Sequence, residues 1–76
     1  MNLSKEKYIV QLNIKGENCP QMKVYNKDNE VVESAYCPDI ESECNSYDDV
    51  CDYVKIQFFN DWTEKEFDSL VEVEIY

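Results

Sequence analysis

Residues 46–62 carry the strongest periodicity in the chain and constrain its fold most. At 100° per residue, Tyr47, Val50, Cys51, Val54, Phe58 and Trp62 fall on one face of a helix. Ser46 precedes the run as N-cap, and Asp49 follows three positions later in a capping-box-like pair. Asp48, Asp49 and Asp52 occupy the first turns, where carboxylates meet the positive end of the helix dipole. Such a helix supplies most of a small domain's core and turns Asp48, Asp49, Asp52 and Lys55 outward. Tyr53, Ile56 and Phe59 fit neither face, which predicts a second layer over them or an exposed apolar patch.

The segments on either side have a period of two. In residues 7–15, Tyr8, Val10, Leu12 and Ile14 alternate with Ile9, Gln11 and Asn13, the pattern of a strand with one buried face. Residues 16–20 hold the only Gly and the first Pro, a turn. A second strand spans 21–25, with Met22 and Val24 alternating with Lys23 and Tyr25. Asn26, Lys27, Asp28, Asn29 and Glu30 then form a tight turn into a third strand over 31–36. Two successive hairpins make an antiparallel meander with one dry face, on which the helix packs. Residues 37–45 read as a polar, acidic crossover. Thr63 and Glu66 form a capping box for one or two further helical turns anchored by Phe67 and Leu70. The tail alternates Val71, Val73 and Ile75 with Glu72, Glu74 and Tyr76, a strand at an edge blunted by its glutamates. The expected fold is α+β in a single domain over residues 1–76. It comprises a three-stranded antiparallel meander, a main helix, a short second helix and a C-terminal edge strand.

The formal charge is −10, and its placement matters more than its size. Residues 1–38 balance five Lys against five Asp or Glu, whereas residues 39–74 set Lys55 and Lys65 against twelve. One reading of this asymmetry is a solvated face whose charge serves solubility alone. The sharper expectation is a surface that meets a basic protein partner with field-steered association. Direct contact with nucleic acid or an anionic membrane is disfavoured, because phosphates are repelled. No run of about 18 apolar residues offers a membrane span. The first residues lack an apolar signal core, so a cytoplasmic location is expected.

Cys19, Cys37, Cys44 and Cys51 are 18, 7 and 7 positions apart, none at zinc-knuckle spacing, and the chain has no His. A four-thiolate zinc module, two disulfides and reduced structural thiols are the three readings, and reduced thiols without metal or cofactor are expected. Catalysis is not expected either. There is no His to shuttle protons, no Arg to clamp an oxyanion and no glycine-rich phosphate loop. Cys44 and Cys51 lie among carboxylates, which oppose thiolate formation. Residues 39–43 lack the glycine-turned spacing of a calcium loop.

The acids Asp39, Glu41, Glu43, Asp48, Asp49, Asp52, Asp61, Glu64, Glu66 and Asp68 suggest a use for the charge. Helical neighbours three or four apart lie about 5–6 Å from one another. Such rows have a spacing of the same order as backbone phosphates and can occupy a basic cleft built for nucleic acid. Desolvating these charges is offset only where each carboxylate meets an Arg or Lys.

Four stretches carry a family likeness: residues 8–12, residues 21–32, the set Val50, Tyr53, Phe58, Asn60 and Trp62, and Glu66–Phe67 before the last β-like run. Together they resemble the small type II-A anti-CRISPR proteins of phages. That resemblance implies a three-stranded sheet with helices that mimics PAM DNA and occupies the PAM-reading site of a guide-loaded CRISPR endonuclease in a bacterial host cell. It maps the family's contact loop onto Asn26, Asp28, Asn29 and Glu30, and its acidic stretch onto Glu64 and Glu66, facing the arginines that read PAM guanines. With Asp48, Asp49, Asp52 and Asp61 these form the expected partner-binding set. The chain differs from the family in having no N-terminal helix, a contact loop with Lys27 and no Gly, a shorter acidic stretch after Trp62, and extra cysteines. An ordinary hairpin turn also explains residues 26–30. The remaining functional alternatives are an acidic inhibitor of another nucleic-acid enzyme (a restriction nuclease, a uracil-DNA glycosylase or a toxin nuclease) and the zinc-stabilised adaptor.

Overall fold

Alternation and turn chemistry place the first three strands where they were expected. In the computed structural model, which describes residues 3–76, β1 is Tyr8–Asn13, β2 is Gln21–Tyr25 and β3 is Val31–Tyr36. Gly16 at φ 115° and Asn18 at φ 60° turn the chain between β1 and β2 ahead of a cis Cys19–Pro20 bond. Between β2 and β3 the side-chain oxygen of Asn26 accepts from the backbone N–H groups of Asp28 and Glu30, both at 3.0 Å. Asn29 takes the left-handed conformation at φ 66°, which Asn tolerates.

After β3 come α1 (Ile40–Glu43), α2 (Tyr47–Phe58), α3 (Glu64–Leu70) and β4 (Val71–Ile75). The sheet order is β3-β2-β1-β4. β4 lies at an edge and runs parallel to β1, pairing Val71 with Tyr8, Val73 with Val10 and Ile75 with Leu12. The fold is therefore the expected α+β arrangement, a meander extended by a C-terminal edge strand. Tyr8, Val10, Leu12, Met22, Val24, Val71 and Val73 on one sheet face join Val50, Val54, Phe59, Trp62 and Phe67 in a single core. Among the described residues no helix is long and apolar enough to cross a membrane.

Four local features depart from the sequence reading. The crossover contains the one-turn helix α1, which drops Ile40 into the core next to the buried Cys37. The main helix stops at Phe58 rather than Trp62. Its last bond is from Phe59 N to Lys55 O, and Trp62 N then donates to Phe59 O across a turn made by Asn60 and Asp61. The third departure follows from that early stop. Phe59, which fits neither face of a continuous helix, is fully buried, with its ring 4.8 Å from Trp62, 5.4 Å from Phe67 and 5.8 Å from Tyr8. Ending the helix frees both Phe59 and Trp62 to turn inward, and that aromatic burial outweighs further helical hydrogen bonds. Tyr47, placed on the inner face by periodicity, is 53% exposed, although its hydroxyl donates to Val73 O at 2.7 Å and ties α2 to β4. Ile56 is 71% exposed, while Tyr53 is half-buried against the core.

The segment before β1 is not helical over residues 3–7; residues 1 and 2 of the expected helix-free start lie outside the described residues. Leu3 packs against the core, and its carbonyl accepts from Trp62 Nε1 at 3.4 Å.

Candidate functional site

The helices cover one face of the sheet, so the acids of α1, α2 and α3 form the opposite, outer surface of the molecule. Of the twelve acids in residues 39–74, nine are exposed: Asp39, Glu41, Glu43, Asp48, Asp52, Asp61, Glu64, Asp68 and Glu72. None of these nine side chains accepts a hydrogen bond or pairs with a lysine among the described residues. The other three are half-buried, and each has an internal donor. Asp49 Oδ2 accepts from Asn45 N at 2.9 Å. Glu66 Oε1 accepts from Thr63 N at 2.9 Å, and its Oε2 pairs with Lys5 Nζ at 3.2 Å. Glu74 accepts from the Tyr76 hydroxyl at 2.6 Å.

The expected partner-binding set is therefore divided by the fold. Asp48, Asp52, Asp61 and Glu64 are free carboxylates at the surface. Asp49 and Glu66 are helix caps: Ser46 accepts from Asp49 N at 3.2 Å, and Thr63 with Glu66 completes a reciprocal capping box. Asp49 reaches back to Asn45 rather than to Ser46, one residue earlier than a standard box. Glu66 is thus not an outward-facing contact like Glu64. The hydrogen bond from Thr63, then the Lys5 ammonium, hold its carboxyl below the ordinary range. In the β2–β3 turn, Asn26 spends its side-chain oxygen on the backbone and its Nδ2 donates to Glu30 Oε1 at 3.3 Å, while Asp28 and Asn29 are exposed.

Two concavities meet at α3. One, of about 370 Å³, lies between α2 and α3, with Asp48 and Asp52 on one wall and Glu64 and Asp68 on the other. Both pairs have i, i+4 spacing, so each wall presents two carboxylates one turn apart. Cys51, Phe67, Val71 and Val73 line it as well, and Lys55 is its single cation. The second, of about 600 Å³, brings Asn26, Lys27 and Asn29 of the turn up to Asp68 and Glu72. Asp68 lines both and joins the expected turn to the expected helical acids. Asp68 and Glu72 lie outside the expected contact set; the i, i+4 relation of Asp68 to Glu64 is the sequence signal that points to Asp68. Asp61, on the turn after α2, lines neither concavity.

The cysteines are all free thiols, and at Cys44 and Cys51 burial and then the nearby acids favour the protonated form. Burial, then Asp49, Glu43 and Asp52, push the Cys44 thiol up. Burial leads again at Cys51, where Asp48, Asp52 and Asp68 add to it against a hydrogen bond with Tyr47. Among the described residues no three His, Cys, Asp or Glu side chains converge as a metal site would require. What this surface offers chemically is fixed negative charge around a partly apolar groove, suited to guanidinium or ammonium groups.

Comparison of the chain with protein-family models, curated proteins and solved structures finds no match.

Proposed function

We propose that this chain is an acidic DNA mimic that inhibits a nucleic-acid enzyme by occupying its DNA-binding cleft. Its specific target in this proposal is the PAM-reading cleft of a CRISPR RNA-guided endonuclease in the cytoplasm of a bacterial host, which would make it an anti-CRISPR protein. The observation that carries the reading is the set of nine exposed carboxylates without internal partners, four of them facing one another across the α2–α3 groove. An acid that is already paired gains little from a new cation, whereas an unpaired one offers its full charge to a partner's Arg or Lys. The resemblance of residues 8–12, residues 21–32, the set Val50, Tyr53, Phe58, Asn60 and Trp62, and Glu66–Phe67 to type II-A anti-CRISPR proteins selects the target.

The test is a cleavage assay with the guide-loaded endonuclease, adding the protein before or after target DNA. Inhibition is expected when the protein is added first and should be lost when DNA is already bound. Inhibition that persists on pre-bound DNA refutes competition for the PAM site. An inactive result there, with salt-sensitive inhibition of a restriction nuclease or uracil-DNA glycosylase, moves the target and keeps the mimicry.

A further inference from the structure

Among the described residues no element covers the sheet face turned away from the helices. Across its middle runs the row Ser34, Lys23, Gln11, Glu74, set by the β2–β3, β1–β2 and β1–β4 registers. Ile9 and Tyr25 pair beside that row and continue to Glu72. A bulge near Tyr25 brings Val31 next to it at 52% exposure, and Tyr36 at the other end of β3 is 62% exposed. The face is thus mixed: Ile9, Tyr25, Val31 and Tyr36 stand among polar side chains, with the cation Lys23 towards the β3 side and the anions Glu72 and Glu74 towards the β4 side. Lys23 has no ion-pair partner among the described residues, and neither has Glu72.

We infer that this face binds a second copy of the chain, forming a twofold dimer of sheet on sheet. A twofold axis parallel to the strands lays β2 over the partner's β1 and β3 over its β4. Each Lys23 then stands above the partner's Gln11, one strand away from its Glu74, and the same contact repeats on the other side, as an isologous interface requires. Aligned sheets pack about 10 Å apart, a gap that tyrosine, isoleucine and valine side chains fill. The charge pattern selects this occupant. Glu72 and Glu74 repel a nucleic acid, and a uniformly basic or acidic partner leaves one half of the face opposed to its own sign, but positive and negative halves exchanged by a twofold axis complement one another. The excess negative charge lies on the helices and points away from the partner, so self-repulsion is small at the contact. The α2–α3 groove of each copy lies on the opposite side and stays open in the dimer, while Glu72 is the one free acid that the contact covers.

Sedimentation equilibrium of the full chain tests it. The protein is expected at twice its 9.0 kDa chain mass at high concentration, dissociating on dilution. Lys23→Glu and Glu74→Lys each set like charges on adjacent strands across the contact and are expected to weaken dimerisation about tenfold or more. An equimolar mixture of the two variants restores opposite charges at both contacts, so mixed dimers should return while neither variant dimerises alone. A native chain that stays monomeric up to about 1 mM overturns the inference. So do single variants that still dimerise, as edge-to-edge pairing through β3 would allow, and so does a mixture that fails to re-associate. Far-UV circular dichroism confirms that each variant is folded; should a charge reversal unfold the chain, Tyr36→Lys on the same face is expected to abolish the dimer in its place.

Discussion

Phe59→Ala is the sharpest probe of how this small domain holds together. Phe59 has no exposed surface and sits among three aromatic rings at 4.8, 5.4 and 5.8 Å. Truncating a buried Phe to Ala costs about 3–5 kcal/mol in transfer and cavity terms. Each aromatic pair adds about 0.5–1.5 kcal/mol beyond burial, which places this site in the upper part of that range. A domain of 76 residues has a total stability of about 4–11 kcal/mol at the usual 0.05–0.15 kcal/mol per residue. The substitution therefore removes between a third of the stability and all of it. Phe59→Leu, which keeps most of the volume, should cost well under half as much. Ile56→Ala, three residues earlier and 71% exposed, should change stability by no more than about 0.5 kcal/mol. Urea unfolding followed by far-UV circular dichroism reads all three, since Trp62 fluorescence is itself altered by the loss of its neighbour. A loss below about 1 kcal/mol for Phe59→Ala, or a larger one for Ile56→Ala, refutes both the early end of α2 and the aromatic cluster built on it.

The remaining predictions concern the acids and thiols. Glu64→Lys is expected to weaken partner binding and leave the thermal midpoint unchanged, whereas Glu66→Lys should lower both, because it breaks the capping box and the Lys5 pair; equal midpoints for the two variants would contradict the division between free and structural acids. Glu66 is depressed in the folded state, so the unfolded chain binds its proton first and stability falls on acidification, from the ordinary glutamate range down through the folded value. Cys37, Cys44 and Cys51 are raised, so stability is intact below the ordinary thiol range and declines as pH climbs from there towards the folded values. Thermal midpoints measured across pH should therefore fall off at both ends, and Glu66→Gln should flatten the acidic limb. Alkylation of Cys44 and Cys51 at neutral pH should run several-fold slower than that of free cysteine, read by mass spectrometry; equal or faster rates would show that the neighbouring carboxylates do not suppress the thiolate.

Much of the fold was legible because its signals are local. Alternation in residues 8–14, 21–25 and 71–75 identified strands with the correct inward face, and Thr63 with Glu66 marked α3 by side-chain chemistry confined to four residues. The end of α2 was not legible, because it depends on rings that come from β1 and α3. Helical periodicity carries smoothly past Phe58 to Trp62, and only the position of Tyr8 and Phe67 in space makes a turn at Asn60–Asp61 the better solution. The residues that carry the anti-CRISPR resemblance show the same thing from the other side. Val50 and Trp62 are buried in the core, and Tyr53 and Phe58 pack against it, so these four positions build the domain, and only Asn26, Asp28, Asn29, Glu30 and Glu66 among the matched stretches coincide with the expected contact set.

Charge is legible in a sequence, but its availability only in part. The capping box with Thr63 sets Glu66 apart from Glu64 locally, yet the lysine 61 positions away that also holds Glu66 could not be read in advance. Likewise Asp48 and Asp49 are adjacent, and only the second is drawn back to the Asn45 backbone. The i, i+4 spacing of Asp48 with Asp52 and of Glu64 with Asp68 could be read in advance, but their opposition across a groove follows from the turn at residues 59–62, which folds α3 back beside α2. The same aromatic burial that ends α2 early therefore also assembles the carboxylate groove. Loosening the Phe59 cluster without unfolding the chain, as Phe59→Leu should, is expected to weaken partner binding while every acid stays in place. Unchanged binding in that variant would mean that the partner reads the net charge of residues 39–74 and not the geometry of the groove.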